Sequence, residues 1–133
     1  MSIPNASLAD AWNTLERDPN AVLIDVRTEA EWNFVGVPDL SSIDQQVRLV
    51  QWTTYPGGQP NPDFLSAATA DLAPDQPILL LCRSGARSLA AANALSAAGF
   101  TNTFNVVAGF EGDLDASSHR HGGWKDELPW RQG

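Results

Sequence analysis

The sequence predicts an α/β fold with a central, mostly parallel sheet and helices on both faces. Two short continuous apolar runs, residues 21–24 and 78–81, have the length and character of strands that are buried on both sides. Each run is followed, within a few residues, by the start of a helical pattern. Strands that alternate with helices are typical of parallel sheets.

The first expected element is an amphipathic helix near the start of the chain. Ser7 is placed to cap it, and Asp10 follows three residues later, which is the spacing of a capping box. Pro19 and Asn20 are expected to end it. Its apolar face would consist of Leu8, Ala11, Trp12 and Leu15.

The first buried strand, residues 21–24, runs directly into residues 25–27, Asp-Val-Arg. Thr28 is the expected N-cap of a second helix. Glu29 and Glu31 would lie in its first turn, where the positive end of the helix dipole favours acidic side chains.

Residues 36–62 are rich in glycine and proline and are expected to consist largely of turns. Within them, residues 47–52 alternate in part between apolar and polar side chains, which predicts a short strand. Asn61 and Pro62 have the pattern of an N-cap followed by proline at the first helical position. They predict a helix that extends to Leu72.

The second buried strand, residues 78–81, leads into residues 82–88 and then into an alanine-rich helix over about 86–98. Gly99 is suited to the position that follows the end of this helix. A third strand is expected over residues 103–107. The helix would face the core with Leu89, Ala92 and Leu95, or with Ala91 and Leu95.

The last part of the chain is expected to return to the body of the protein. Residues 109–112, Gly-Phe-Glu-Gly, predict a turn after the third strand. Residues 122–131 contain two tryptophans, whose large apolar surface favours packing against the core.

Length and composition indicate one globular domain spanning residues 1–133. The chain has a mass of 14.3 kDa, with 43% hydrophobic and 18% charged residues. Domains typically contain about 100–200 residues, and a chain of this length buries a core without disulfides or metal ions.

The charge balance and the single cysteine narrow the possible partners and compartment. Sixteen acidic residues oppose eight basic ones, giving a formal charge of −8, which disfavours nucleic acids and anionic membrane surfaces as partners. No apolar run approaches a membrane span, and residues 1–10 lack the basic and apolar regions of a secretory signal. One cysteine excludes an intramolecular disulfide. These features predict a cytoplasmic protein.

The only cysteine, Cys82, lies at the most informative position in the sequence. It follows a buried strand immediately, and a helix begins a few residues later, so it is expected at the sheet edge where α/β proteins bind ligands. Gly85 would allow a tight turn. The N–H groups from Arg83 to Ser88 would then point towards the sulfur and form an anion cradle at a helix N-terminus. Such surroundings favour the nucleophilic thiolate, which we expect to be exposed.

Two of the seven arginines, Arg83 and Arg87, fall within this loop, although the chain as a whole is acidic. They favour an anionic substrate or a charged sulfur species as the ligand. By composition alone, a lone cysteine is more often a small buried hydrophobic residue. A phosphatase loop, which uses the same thiolate, has one more residue between its cysteine and arginine than the four that separate Cys82 from Arg87. The shorter loop fits a single sulfur atom better than a phosphate.

The loop Cys-Arg-Ser-Gly-Ala-Arg-Ser of residues 82–88 resembles the active-site loop of rhodanese-family sulfurtransferases. Residues 25–32, Asp-Val-Arg-Thr-Glu-Ala-Glu-Trp, resemble an upstream motif of that family. Residues 105–110 resemble its strand and Gly-Phe turn, and the segments 123–124 and 128–130 resemble its closing segment. The resemblance extends from about Ser7 to Trp130 and implies a small α/β rhodanese-like domain.

The sequence also departs from the family pattern. Many members carry Gly-His-Ile-Pro-Gly-Ala after the upstream motif, whereas residues 35–40 are Val-Gly-Val-Pro-Asp-Leu and lack the histidine. Residues 41–62 are longer and richer in turns than the usual connection. Both differences concern the rim of the pocket rather than the cysteine loop.

The resemblance implies transfer of a sulfane sulfur through a persulfide on the catalytic Cys82, without a cofactor. The Cys82 thiolate would attack a small anionic donor such as thiosulfate, and a thiol, cyanide or a protein would accept the sulfur. Arg83 or Arg87 would bind the anionic end of the donor. Ser84 and Ser88 would donate to the bound sulfur or brace the loop, and Gly85 and Ala86 complete the substrate-binding loop.

Two alternative functions use the same cysteine. One is a cysteine-dependent phosphatase or arsenate reductase. The other is a non-catalytic persulfide carrier that only one protein partner discharges.

Several other side chains are expected to have structural roles. Asp25 and Arg27 are expected to support the site, Asp25 by accepting N–H groups and Arg27 by pairing with a carboxylate such as Glu31. Trp52 and Tyr55 fit a pocket mouth and packing equally well. His119 and His121 have no third metal ligand nearby and are expected to be solvated, so no metal site is predicted.

Overall fold

The computed structural model describes residues 3–54 and 57–132 and contains a five-stranded parallel sheet at its centre. The strand order is β1-β6-β5-β2-β4, and every neighbouring pair is parallel. The predicted fold class is therefore confirmed. The strands of this sheet are β1 (Asn5–Ala6), β2 (Val22–Asp25), β4 (Arg48–Leu49), β5 (Ile78–Leu81) and β6 (Thr103–Val106).

Five α-helices and two small antiparallel pairs surround this sheet in the described residues. The helices are α1 (Leu8–Arg17), α2 (Glu29–Phe34), α3 (Phe64–Ala68), α4 (Ala86–Ala97) and α5 (Trp124–Glu127), with one 3-10 turn at Ser41–Ile43. The antiparallel pairs are β3 (Val37–Pro38) with β9 (Trp130–Arg131), and β7 (Gly112–Leu114) with β8 (Arg120–Gly122).

The sheet separates two apolar layers, as strands buried on both faces require. Leu79 and Leu81 of β5 point into the layer that contains α1 and Trp124 of α5. Ile78 and Leu80 point into the layer that contains α3 and α4. This alternation continues past the end of the strand, because Cys82 belongs to the second layer.

The local helix signals place the first two helices correctly. Ser7 caps α1, and its Oγ accepts the Asp10 N–H at 3.0 Å. Thr28 caps α2 in a complete capping box with Glu31. Gly99 has φ of 104° just beyond α4, the left-handed conformation that lets the chain leave a helix at this point.

The predictions for residues 47–72 are only partly correct. The short strand is limited to Arg48–Leu49. The helix does not run from Asn61 to Leu72, because the Asn61 side chain accepts the Asp63 N–H at 3.0 Å in a local turn and α3 begins after it. At the other end, Asp71 is left-handed, with φ of 65°, which is incompatible with a continuing helix.

Helix α4 faces the core with Ala91, Ala92 and Leu95, whereas Leu89 is 40% exposed. The prediction that included Leu89 is therefore wrong, and the one with Ala91 is correct. The C-terminal segment packs back as expected: Trp124 is fully buried, and its ring meets that of Trp12 edge-to-face at 6.1 Å. Among the described residues, no helix is long and apolar enough to cross a lipid bilayer.

Candidate active site

Cys82 follows β5 directly and lies under the loop that leads into α4. Only 1% of the residue is exposed, so the expectation of an exposed sulfur at the sheet edge is wrong. The reason is the strand alternation, which turns the side chain into the layer between the sheet and α4. The sulfur is therefore at the base of the loop.

Two polar groups contact the sulfur. The Gly85 N–H donates to Sγ at 3.1 Å, and Ser88 Oγ lies 3.2 Å from it. Gly85 has φ of 104°, and a Cβ here would lie 2.6 Å from the Val107 carbonyl oxygen. Glycine is therefore required both by the backbone conformation and by the close packing of the loop. These two contacts bring Gly85 and Ser88 to the Cys82 sulfur, as the loop sequence predicts.

The other N–H groups of the loop are available as donors. Within residues 3–54 and 57–132, the backbone N–H groups of Arg83, Ser84, Ala86 and Arg87 have no acceptor. Two of them belong to the first turn of α4, where the helix dipole is positive. Of the expected cradle, only the Gly85 N–H bonds to the sulfur itself, so the remaining donors are free to hold an anion beside it.

The turn at residues 107–112 holds the loop from behind. The Phe110 N–H donates to the Cys82 carbonyl at 2.7 Å, and two further N–H groups of the turn donate to the Arg83 carbonyl at 3.0 and 3.2 Å. The C=O and N–H of a trans peptide point in opposite directions, so the N–H groups of Arg83 and Ser84 face away from the turn. The turn thereby orients the donors of the loop.

The two arginines of the loop have different surroundings. Arg87 donates to both carboxylate oxygens of Glu31, at 2.6 and 3.0 Å. Burial raises the pKa of Glu31, but hydrogen bonds from Arg87 and Thr28 outweigh it, so the pKa lies below its usual value. The hydrogen bond to Glu31 likewise raises the pKa of Arg87. The Arg83 side chain is exposed and has no carboxylate partner among the described residues.

Asp25 and Arg27 form a fully buried ion pair with each other. Arg27 Nη2 donates to Asp25 Oδ2 at 2.7 Å and to the Gly36 carbonyl at 2.7 Å. The expected pairing of Arg27 with Glu31 is wrong, because Glu31 is bound to Arg87 instead. The Arg27 guanidinium also stacks on the Phe110 ring, with Cζ 4.1 Å from the centroid. The pair therefore supports the turn behind the loop and is not accessible to substrate.

Asn105, in the carboxyl-terminal part of β6, is a site residue that the sequence patterns do not predict. Its Oδ1 lies 2.6 Å from Ser88 Oγ, and its Nδ2 donates to the Gly85 carbonyl at 3.2 Å. The one feature of the sequence that could identify Asn105 is its position, because it is a polar residue near the end of the strand that is expected after the cysteine loop. Ser84 is half-buried and Ala86 is exposed at the start of α4; among the described residues, the hydrogen bonds to the sulfur come from Gly85 and Ser88 instead.

The remaining candidates lie outside this site. Trp52 packs edge-to-face against Phe64 at 5.0 Å, whereas Tyr55 is outside the described residues. His121 is largely exposed, with Nε2 3.8 Å from an Asp115 carboxylate oxygen. In the described part of the chain, no group of three or more potential metal-binding side chains forms a cluster.

Comparisons with known proteins agree with this architecture over nearly the whole chain. The model of the rhodanese-like domain family matches residues 7–116. The crystal structure of Rv0390 from M. tuberculosis is similar with a TM-score of 0.91 and 47% identity, covering 100% of both chains. The uncharacterized protein RP600 of Rickettsia prowazekii is 36% identical over 132 residues, which are 98% of this chain and 99% of that protein. The solution structure of a polysulfide-sulfur transferase homodimer from Wolinella succinogenes has the same fold, with a TM-score of 0.65 and 24% identity, covering 97% of this chain and 78% of that one.

Proposed function

We propose a sulfurtransferase activity for this chain, which belongs to the rhodanese-like domain family. The observation that carries the proposal is the contact of Cys82 Sγ with the Gly85 N–H at 3.1 Å, at the start of α4 and next to loop N–H groups that have no acceptor in the described residues. Donors in this arrangement stabilise negative charge on sulfur.

The first half of the reaction loads the cysteine. The Cys82 thiolate attacks the outer sulfur of thiosulfate, the sulfur–sulfur bond of the donor breaks, and sulfite leaves with the electron pair. The product is a persulfide whose outer sulfur carries the negative charge. The N–H groups of Arg83, Ser84, Ala86 and Arg87 are the donors that would stabilise that charge.

Arg83 is the residue proposed to bind the anionic end of the donor. Its side chain is exposed and close to Cys82 in the sequence, whereas Arg87 is occupied by Glu31. A guanidinium that already donates to both oxygens of a carboxylate has fewer donors left for a second anion.

In the second half of the reaction, an acceptor takes the sulfur. Cyanide or an external thiol attacks the outer sulfur of the persulfide, and the Cys82 thiolate is regenerated as the leaving group. Cys82 is the only cysteine of the chain, so a thiol acceptor must come from another molecule.

Steady-state kinetics with thiosulfate and cyanide test this proposal. A double-displacement reaction gives parallel lines in double-reciprocal plots, and Cys82→Ser is expected to have no measurable turnover. Turnover that persists in Cys82→Ser would overturn the assignment. Hydrolysis of an aryl phosphate without sulfur transfer would replace it by a phosphatase activity, and a persulfide that cyanide cannot discharge would replace it by a carrier role.

A further inference from the structure

Asn105 connects the base of the cysteine loop to the serine that contacts the sulfur. The residue is 2% exposed, and both ends of its side-chain amide are hydrogen-bonded. Oδ1 lies 2.6 Å from Ser88 Oγ, and Nδ2 lies 3.2 Å from the Gly85 carbonyl oxygen. A buried amide with two fixed partners has a fixed orientation.

The Gly85 carbonyl determines which end of the amide faces which partner. A carbonyl oxygen can only accept hydrogen bonds, and this one also accepts the Leu89 N–H at 3.2 Å. The amide nitrogen of Asn105 must therefore face Gly85, and its oxygen must face Ser88. Since the amide oxygen can only accept, Ser88 is the donor of the 2.6 Å hydrogen bond.

This direction of donation determines what Ser88 offers to the sulfur. A hydroxyl group has one proton, and the Ser88 proton points to Asn105. Ser88 Oγ therefore presents a lone pair to Cys82 Sγ, at 3.2 Å. A neutral thiol can donate its proton to that lone pair. A thiolate cannot, and it receives the Ser88 proton only if the hydroxyl turns away from Asn105.

We propose that Asn105 is a positioning residue that keeps the Ser88 proton while Cys82 Sγ is uncharged and gives it up only to the thiolate, so that the uncharged forms of this sulfur are favoured over the bare thiolate. This inference rests on the proposed function, in which Cys82 is the nucleophile. The uncharged forms are the protonated thiol and the inner sulfur of the persulfide, whose charge lies on the outer atom. Asn105 would thus stabilise the loaded enzyme relative to the unloaded thiolate.

Substitution of Asn105 leaves the charged groups around the loop in place. Arg87 on α4 interacts electrostatically with both Cys82 and Asp25. The groups to be kept constant are Arg83 and Arg87 of the loop and α4, Glu31 of α2, the Asp25–Arg27 pair at the end of β2, and Glu111 of the turn.

A double-mutant cycle of Asn105→Leu and Ser88→Ala tests the proposal. Leucine approximates the volume of asparagine but cannot accept a hydrogen bond, so the Ser88 proton becomes available to the sulfur. The measured quantities are the rate of Cys82 alkylation by iodoacetamide at a fixed pH of about 7 and the ultraviolet absorbance of the thiolate. The gain of one hydrogen bond to the thiolate corresponds to an alkylation rate about three- to tenfold higher in Asn105→Leu than in the wild type.

The effect of Asn105→Leu in a protein that already carries Ser88→Ala distinguishes a redirected Ser88 proton from a general loosening of the site. We expect Asn105→Leu to have no further effect there, because no hydroxyl proton remains to be redirected. An unchanged or lower rate in the single variant would overturn the proposal. An equal increase in both backgrounds would also overturn it, because it would indicate easier access of the reagent.

The wild-type protein provides a test that does not depend on the folding of a variant. The side-chain carbonyl carbon of Asn105 should shift in the NMR spectrum over the same pH range as the Cβ of Cys82, because Ser88 releases Asn105 when the thiolate forms. Alkylation of Cys82 should abolish this shift. Titration of Cys82 without a response at Asn105 would contradict the proposal.

These measurements use the unloaded protein without a sulfur donor. Failure of thiosulfate to load Cys82 would therefore refute the sulfurtransferase activity and leave the role of Asn105 intact. The reverse result, normal loading without coupling between Asn105 and Ser88, would refute the positioning role alone.

Discussion

At the scale of single residues, the two arginines of the cysteine loop look equivalent in the sequence but have different partners in the structure. Arg87 is bound to both oxygens of Glu31 and is partly buried, so it has fewer donors left for a second anion. Arg83 is exposed, and no carboxylate pairs with it in the described part of the chain. Only Arg83 therefore keeps its full set of donors for an anionic reactant.

Arg83→Gln is predicted to raise the KM for thiosulfate by about tenfold, while the melting temperature changes little. The expected size corresponds to the loss of one charge-assisted hydrogen bond at an exposed position. Steady-state kinetics at constant ionic strength measure it. Arg17→Gln, in the last turn of α1, is the matched control for the loss of one positive charge. Equal effects of the two substitutions would assign the change to net charge rather than to donor binding.

At the scale of secondary-structure elements, the turn at residues 107–112 acts as the support of the cysteine loop. Its N–H groups occupy the carbonyls of Cys82 and Arg83. Gly109 has φ of 73°, and a Cβ at this position would overlap the Arg83 carbonyl. A side chain here would therefore displace the loop.

Gly109→Ala is predicted to reduce kcat strongly and to lower the stability by more than Gly99→Ala. Both glycines are left-handed, so both substitutions have the conformational cost of about 1–2 kcal/mol for a residue with a Cβ. A Cβ on Gly99 has open space, whereas one on Gly109 meets the loop backbone. Denaturant unfolding and kinetics of both variants measure the difference. Full activity in Gly109→Ala would contradict the supporting role of the turn.

The Glu31–Arg87 pair joins α2 to α4 and is expected to make stability depend on pH. The folded pKa of Glu31 is lowered below its ordinary value of 4.5, so the unfolded chain takes up the proton first as the pH falls. The contribution of the pair is therefore complete above that value. It is lost as the pH falls through the folded pKa.

Glu31→Gln is predicted to be less stable than the wild type at neutral pH, by about 1 kcal/mol because the pair is partly solvated. This difference should shrink as the pH falls below 4.5 and disappear below the lowered folded pKa of Glu31, where both proteins carry an uncharged side chain at this position. Urea unfolding at several pH values measures it. A difference that stays constant from neutral to acidic pH would mean that the ion pair does not contribute.

At the scale of the whole molecule, the C-terminal segment closes the fold onto the site. The N–H groups of Trp124 and Lys125 donate to the carbonyls of Gly109 and Phe110, at 2.8 and 3.0 Å. The Trp124 side chain is fully buried against Trp12. Helix α5, which contains both residues, therefore contributes to the core and fixes the turn that supports the loop.

Trp124→Ala is predicted to destabilise the protein by about 3–5 kcal/mol, the usual cost of removing a large buried aromatic side chain. Trp130→Ala, at a half-buried position, should cost clearly less and serves as the control. Thermal and denaturant unfolding compare the two. Equal losses would indicate that the burial of Trp124 does not anchor the C-terminal segment.

The sequence predicts those parts of this molecule that depend on local interactions. The caps at Ser7 and Thr28 and the apolar strands around residues 22–25 and 78–81 can each be recognised within a few residues. The local pattern at Asn61 is misleading, because the same side chain can form a turn as well as a helix cap.

Contacts between residues that are far apart in the chain cannot be predicted from local sequence patterns. Glu31 and Arg87 are 56 residues apart, and only the parallel pairing of β2 with β5 brings their helices together. Asn105 meets Ser88 because β6 lies next to β5. The burial of Cys82 likewise follows from strand register, which continues beyond the last residue of β5. The sequence therefore identifies the loop, and the tertiary structure determines its partners.

The central claim, that Cys82 carries a transferable sulfur, is tested most directly by the intact mass of the protein after a single turnover. Incubation with thiosulfate and removal of the excess donor should add about 32 Da, the mass of one sulfur atom, at Cys82. Cyanide should remove this mass, and Cys82→Ser should not gain it. Absence of the added mass in a protein whose Cys82 is readily alkylated, or its presence in Cys82→Ser, would contradict the account.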